Sequence, residues 1–266
     1  MLLARLLPAV SALALLAACA PTDPNTAART LPANSRECPV GAGAGCYFRN
    51  SPVQLQPKKV EIAGRPYVFQ PTARSLEFFD GEGRGWTAPT GTLTDGASIP
   101  QIFVPIVGNP RSREFANAAA MHDAWCGIGN EDGAVYHKAT WQEVHRMFYD
   151  SLIVGGTDVV RAKVMFAAVW LGGPRWAPVS RATDSRIERL PVELRRDGMR
   201  RAKAYIEREN PPISRLIPYL DQIERDMFAA VNREGSERGE DPNEGEGPNE
   251  GEGPVIEYPE TPVSQM

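Results

Sequence analysis

Residues 94–100 read Thr-Asp-Gly-Ala-Ser-Ile-Pro, "TDGASIP", and the hydrophobic period changes across them. Upstream, apolar residues come in short runs split by turn formers. Segments 58–62 and 66–69 flank Ala63-Gly64-Arg65 as a hairpin, and 76–79 ends on the turn pair Asp80-Gly81. Downstream, Phe115, Ala118, Ala119, His122 and Cys126 fall at helical spacing from Ser112 onward. Thr140-x-x-Glu143 is a capping box, and it opens a second helix with Trp141, Val144, His145, Phe148 and Leu152 inward, stopped by Gly155-Gly156. A third, very apolar helix spans 157–171 and ends at Gly172-Gly173-Pro174. Two more cover roughly 186–209 and 219–233, the last with Pro218 in its first turn. The expected fold is therefore α+β: short N-terminal antiparallel strands, then a mostly helical region containing a helical hairpin.

The ends of the chain read differently from its middle. Residues 1–18 carry Arg5 and an apolar run too short to span a bilayer, closing on Leu16-Ala17-Ala18-Cys19. This reads as a signal peptide, and Leu16-Ala17-Ala18-Cys19 resembles the bacterial lipobox. The resemblance implies that Cys19 is acylated, palmitate-type, and becomes the first mature residue. By the same resemblance, alanine rather than aspartate at position 20 implies the outer membrane over the inner one. Residues 19–49 are the tether, in which Cys38 and Cys46 enclose a small Gly/Ala loop and form a disulfide candidate in an oxidising compartment. Residues 50–233 make one globular domain. Residues 234–266 repeat Pro-Asn-Glu-Gly-Glu-Gly and have a composition that cannot bury enough surface to order itself.

Charge follows the same division. The tail holds ten acidic residues against Arg238, net −9, within a formal −4 for the chain. With Arg5 lost alongside the leader, residues 19–233 carry about +4, which suits an anionic membrane surface. Arg195, Arg196, Arg200, Arg201 and Lys203 read as a solvated helix face or a headgroup contact; an export signal argues against nucleic acid. Phosphate-binding glycine loops, paired Cys-x-x-Cys motifs and a spanning helix in the mature chain are all absent from the sequence.

Two helices place imidazoles where apolar side chains belong. His122, with Asp123 beside it, lies on the inner face of the first, and His145 lies mid-face on the second. One solution is a hydrogen-bonded cluster that pins the helices, since an unpaired buried polar group costs about 1–3 kcal/mol. The other is a site, because an imidazole next to a carboxylate serves as a general base or, with it, as a ligand set. Cys126 reads as a buried small hydrophobe, His137 as an exposed loop residue, and Trp170, Trp176 and Phe166 as core.

"TDGASIP", "AAAMHDAW" at 118–125, the helix "EVHRMFYDSLIVGG" and the apolar helix ending "LGG" resemble the uncharacterised phage and bacterial family known as domain of unknown function 1353. The resemblance covers about 55–176, with 177–233 a helical extension, and implies no activity. A second resemblance is to secreted phospholipase A-two enzymes, in Asp95-Gly96-Ala97-Ser98 followed by His122-Asp123. It implies that Asp95 and Asp123 bind calcium while His122 activates water on an envelope ester or amide, phospholipid first. Both resemblances lead one to expect a carboxylate where His145 stands. His145 with His122 and the two aspartates suits a zinc- or manganese-type ion instead. TDGASIP thus has three readings: a turn with Ser98 as helix cap, an ion-binding loop, or Ser98 as a nucleophile lacking the usual Gly-x-Ser-x-Gly elbow. The function expected is a membrane-anchored metal-assisted hydrolase, its rival a non-catalytic envelope interaction lipoprotein.

Overall fold

The computed structural model describes residues 36–96, 99–109, 111–177 and 183–239. The leader with Cys19, the tether up to residue 35, Ser98 and the chain beyond residue 239 lie outside them. The architecture is α+β, strands first and helices after. The strands are β1 (Tyr47–Arg49), β2 (Gln70–Pro71), β3 (Leu76–Phe79), β4 (Gly85–Ala88) and β5 (Leu93–Thr94). β1, β3 and β4 form an antiparallel sheet in that order, and β2 pairs antiparallel with β5.

Alternation sets the faces of the larger sheet. Leu76, Phe78, Trp86 and Ala88 all point inward and are buried, with Leu76 opposite Ala88 and Phe78 opposite Trp86. The Asp80-Gly81 turn holds because the Asp80 carboxylate accepts from the amides of Glu82 and Arg84, each at 3.0 Å, and from the Trp86 indole at 2.8 Å. The expected 58–69 hairpin is reduced to one bridge, Val60 with Phe69.

The helices are α1 (Val104–Val107), α2 (Ala116–Cys126), α3 (Trp141–Val154), α4 (Val159–Gly172), α5 (Val192–Glu209) and α6 (Ile213–Gly239). α2 follows a short 3₁₀ turn at Arg113–Phe115, and every residue from Ala118 to Cys126 is buried. It was expected to bury one face only. It lies instead between the sheet and α3, so no face is left for water. The capping box of α3 is formed as its sequence predicts: the Glu143 amide donates to Thr140 Oγ1 at 3.2 Å, and the Thr140 amide to Glu143 Oε2 at 2.8 Å.

α6 corrects the expected start at 219. It begins six residues earlier, and Pro218 sits inside it. Ile213, Leu216, Leu220, Ile223 and Met227 are almost wholly buried at helical spacing, and that burial outweighs the one backbone bond proline forfeits. α6 also continues through Gly239, past residue 234 where the tail was expected to start. α4 packs against α5 and α6, which share one hydrophobic core with the strands and α2–α4. A buried ion pair stitches them together: Arg175, just after α4, grips Glu224 of α6 through two bonds of 2.7 and 2.8 Å.

The Cys38–Cys46 disulfide is formed, with Cα atoms 5.7 Å apart. Its loop is held to the body where the Gly41 amide donates to the Ile153 carbonyl at 3.1 Å.

Candidate functional site: a sealed triad and an open groove

His122 and Cys126 are four residues apart on α2, so their side chains stack on one face. Cys126 Sγ lies 3.4 Å from His122 Nε2. α3 supplies His145 from across the helix pair, its ring centroid 5.2 Å from that of His122. Among the described residues these three form the one group of His, Cys, Asp or Glu whose candidate ligand atoms all lie within 4.8 Å of one another. Both histidines are fully buried and the cysteine nearly so.

Aromatic groups close the triad in. Phe148 stands 4.8 Å from His122 between centroids, Trp141 stands 5.4 Å from His145, and Trp176 meets His145 edge-on at 6.4 Å. Gly173 completes the wall. A Cβ there would sit 2.4 Å from the Val169 carbonyl and 3.2 Å from His145 Nε2, so only glycine lets the chain pass so close to the ring.

This enclosure sets the electrostatics. Burial pushes His122 down to about 3. Burial also lowers His145 well below the usual imidazole range, aided by His122 and Arg175. The Cys126 thiol is pushed up, first by burial and then by the Asp123 charge. All three groups are therefore neutral near pH 7, and three of their nitrogens, His122 Nδ1 and both of His145, have no hydrogen-bond partner. Buried polar atoms are seldom left so.

The other expected site residues go elsewhere. Asp123 is buried next to His122 in sequence but stays out of the triad, since successive helical residues point about 100° apart. Asp95 lies at the end of β5 with Arg65 Nη2 3.7 Å from its carboxylate. Burial raises its pKa, against the pull of Arg65 and Arg111. It lines an open groove of about 180 Å³ between the strands and α2, beside Gly96, whose φ of +115° suits only glycine. Val53, Leu55 and Val68 give the groove an apolar wall, and Arg111 and Arg113 stand at its rim. Arg111 lies over the Tyr67 ring, and neither arginine closes an ion pair among the described residues.

Cys126 was read as an inert core residue with no base beside it, yet an imidazole nitrogen touches its sulfur. The spacing His-x-x-x-Cys on a helix was the available signal. His137 is also corrected: it is buried and stacked between Tyr136 at 3.9 Å and Trp176 at 4.0 Å. The basic run on α5 is largely occupied internally, with Arg196 on Glu193, Arg201 on Asp226 and Lys203 on Glu207.

Comparison with known proteins places this region. Residues 73–169 match the family model described as a protein of unknown function, DUF1353. The uncharacterized protein y4iH of Sinorhizobium fredii is 40% identical over 99 residues, 37% of this chain and 38% of that one. The uncharacterized protein y4jT of the same organism is 37% identical over 101 residues, 38% of this chain and 28% of that one. The chain thus spans well under half the length of these curated relatives, and no solved structure matches it. The matched segment runs from residue 73 to residue 169, inside α4, so it contains the groove end of β5 and all three triad residues, and the similarity to the DUF1353 family is confined to it.

Proposed function

We propose that the protein is a lipid-anchored binding protein of the cell envelope that takes an anionic amphiphile into the groove beside Asp95. The observation that carries this reading is a contrast of access. The imidazoles that hydrolysis would need are sealed, while the groove is open, apolar along Val53, Leu55 and Val68, and rimmed by two arginines that close no ion pair among the described residues. Arginine at the mouth suits a carboxylate or phosphate head, and the apolar wall suits the first methylenes behind it. Arg65 offsets the charge of Asp95 at the floor. Acylation of Cys19 would hold the domain at a membrane, the outer one by the residue that follows, where such amphiphiles are at hand.

A metal-assisted hydrolase fits less well. A base with a pKa of about 3 takes a proton from water at neutral pH against a steep gradient, and His122 has no open route to substrate. The test is a titration of the purified full chain with a fluorescent fatty acid and with lysophosphatidylglycerol, in wild type and in the double variant Arg111→Glu/Arg113→Glu. Saturable binding, weakened about tenfold or more in the variant, is expected; that factor corresponds to about 1.4 kcal/mol. Equal binding by both proteins sinks the groove. Calcium-dependent release of fatty acid from phosphatidylglycerol vesicles, lost in Asp123→Asn, would establish the hydrolase instead.

A further inference from the structure

We propose that His122, Cys126 and His145 hold one thiophilic transition-metal ion, of the zinc class, clamping α2 to α3. The inference is independent of what the groove binds. It rests on a donor set of two imidazoles and one thiol whose candidate ligand atoms all lie within 4.8 Å of one another, with three imidazole nitrogens left unpartnered in full burial. A hydrogen-bonded structural cluster would satisfy those nitrogens. This one leaves them without a partner, and an ion held between His122 Nε2, Cys126 Sγ and one nitrogen of His145 gives that His145 nitrogen a partner.

The geometry matches the ion class. Two ligands of a tetrahedral zinc, at about 2.0–2.1 Å for nitrogen and about 2.3 Å for sulfur, stand roughly 3.6 Å apart. His122 Nε2 and Cys126 Sγ are 3.4 Å apart. His145 has only to close in from the facing helix. The donor chemistry selects as well. Thiolate and imidazole suit zinc and its softer neighbours, whereas calcium and magnesium require several oxygen ligands, and the triad offers none. Neutral imidazoles bind without losing a proton, so binding releases one proton, from the Cys126 thiol, as the sulfur–metal bond forms. The thiolate leaves the centre with one net positive charge, and Asp123, whose charge is felt at Cys126, lies close enough to offset it. Phe148, Trp141 and Trp176 form an aromatic wall around the centre.

The experiment uses the purified full chain, stripped with chelator and dialysed against zinc, calcium or manganese, with bound metal counted by mass spectrometry. One equivalent of zinc and none of calcium is expected. Cobalt added to the stripped protein should give a thiolate-to-cobalt charge-transfer band and the visible bands of a tetrahedral ion. Cys126→Ser should abolish the charge-transfer band and weaken zinc binding at least tenfold, which also distinguishes Cys126 from the thiol of an unacylated Cys19. Should that variant not fold, the wild-type cobalt spectrum and His145→Gln decide. Absence of retained zinc, retention unchanged in both variants, or a cobalt spectrum without thiolate character overturns the proposal.

Discussion

His145 is the residue at which the sealed centre is most exposed to test. Both its nitrogens are unpartnered and buried in the metal-free chain, so replacing it by phenylalanine removes two unsatisfied polar atoms at similar volume. In chelator-treated protein, His145→Phe should melt at or above the wild-type temperature, while zinc should raise the wild type alone. Gly173→Ala is expected to act in the opposite direction. Its new methyl group meets the Val169 carbonyl at 2.4 Å and the His145 ring near 3.1 Å, and urea unfolding should show a loss of about 1–3 kcal/mol. A different residue carries a pH dependence of the opposite sign to the histidines. Burial pushes Asp150 up to about 7 although Arg146 pulls the other way. At this carboxyl the folded state therefore binds more protons than the unfolded one between about 3.8 and about 7, so the contribution of Asp150 to stability falls as pH rises through that window, opposite in sign to that of the two buried histidines. Relative to Asp150→Asn, the wild type should lose on the order of 2 kcal/mol between pH 5 and pH 8, read from urea midpoints at each pH. At this scale the two histidines were legible as misplaced polar groups in apolar helices. Their partner in the triad carried a weaker signal, the spacing His-x-x-x-Cys, which gains its meaning only when a second helix brings another imidazole beside it.

Elements whose ends are set by local chemistry could be read directly. Thr140 and Glu143 satisfy each other's amides whatever lies beyond α3, which is why that boundary falls where the capping box puts it. Thr140→Ala should cost about 1 kcal/mol by thermal melting. Elements whose limits depend on distant packing could not be read so. α6 starts at Ile213 because residues on both sides of Pro218 find the same core. Proline's local penalty would have ended the helix, and tertiary burial overrides it. In the 58–69 hairpin the turn forms, with the Arg65 amide donating to the Ile62 carbonyl at 3.1 Å, but the ladder beside it is a single bridge, Val60 with Phe69. Such elements are decided by totals over many contacts, and a single chain read in order does not contain them.

For the whole molecule, the family match and the physical unit differ in extent. The match ends at residue 169, yet Met199, Ala202, Ile206, Leu220 and Ile223 of α5 and α6 belong to the same core as α2–α4. The Arg175–Glu224 pair closes that core with both side chains almost fully buried. Glu224→Ala, which strands a buried guanidinium, should destabilise by about 3–5 kcal/mol in urea, and unfolding should remain a single transition by fluorescence and circular dichroism alike. The order of strands before helices was legible because period two gives way to period 3.6 at TDGASIP. The depth at which α2 is sunk was not, because an alanine-rich helix looks alike whether one side or every side is covered.

The first described residues also carry a mechanical consequence. The Glu37 carboxylate receives the Ile213 amide at the head of α6, Cys38 is bonded to Cys46 beside β1, and Gly41 is tied to the end of α3. A pull on the chain at residue 36 therefore does not peel one strand at a time. It is divided at once among a sheet edge and two helices and loads them in parallel, so the domain resists traction along its leading segment far better than a domain hung from a single terminal strand.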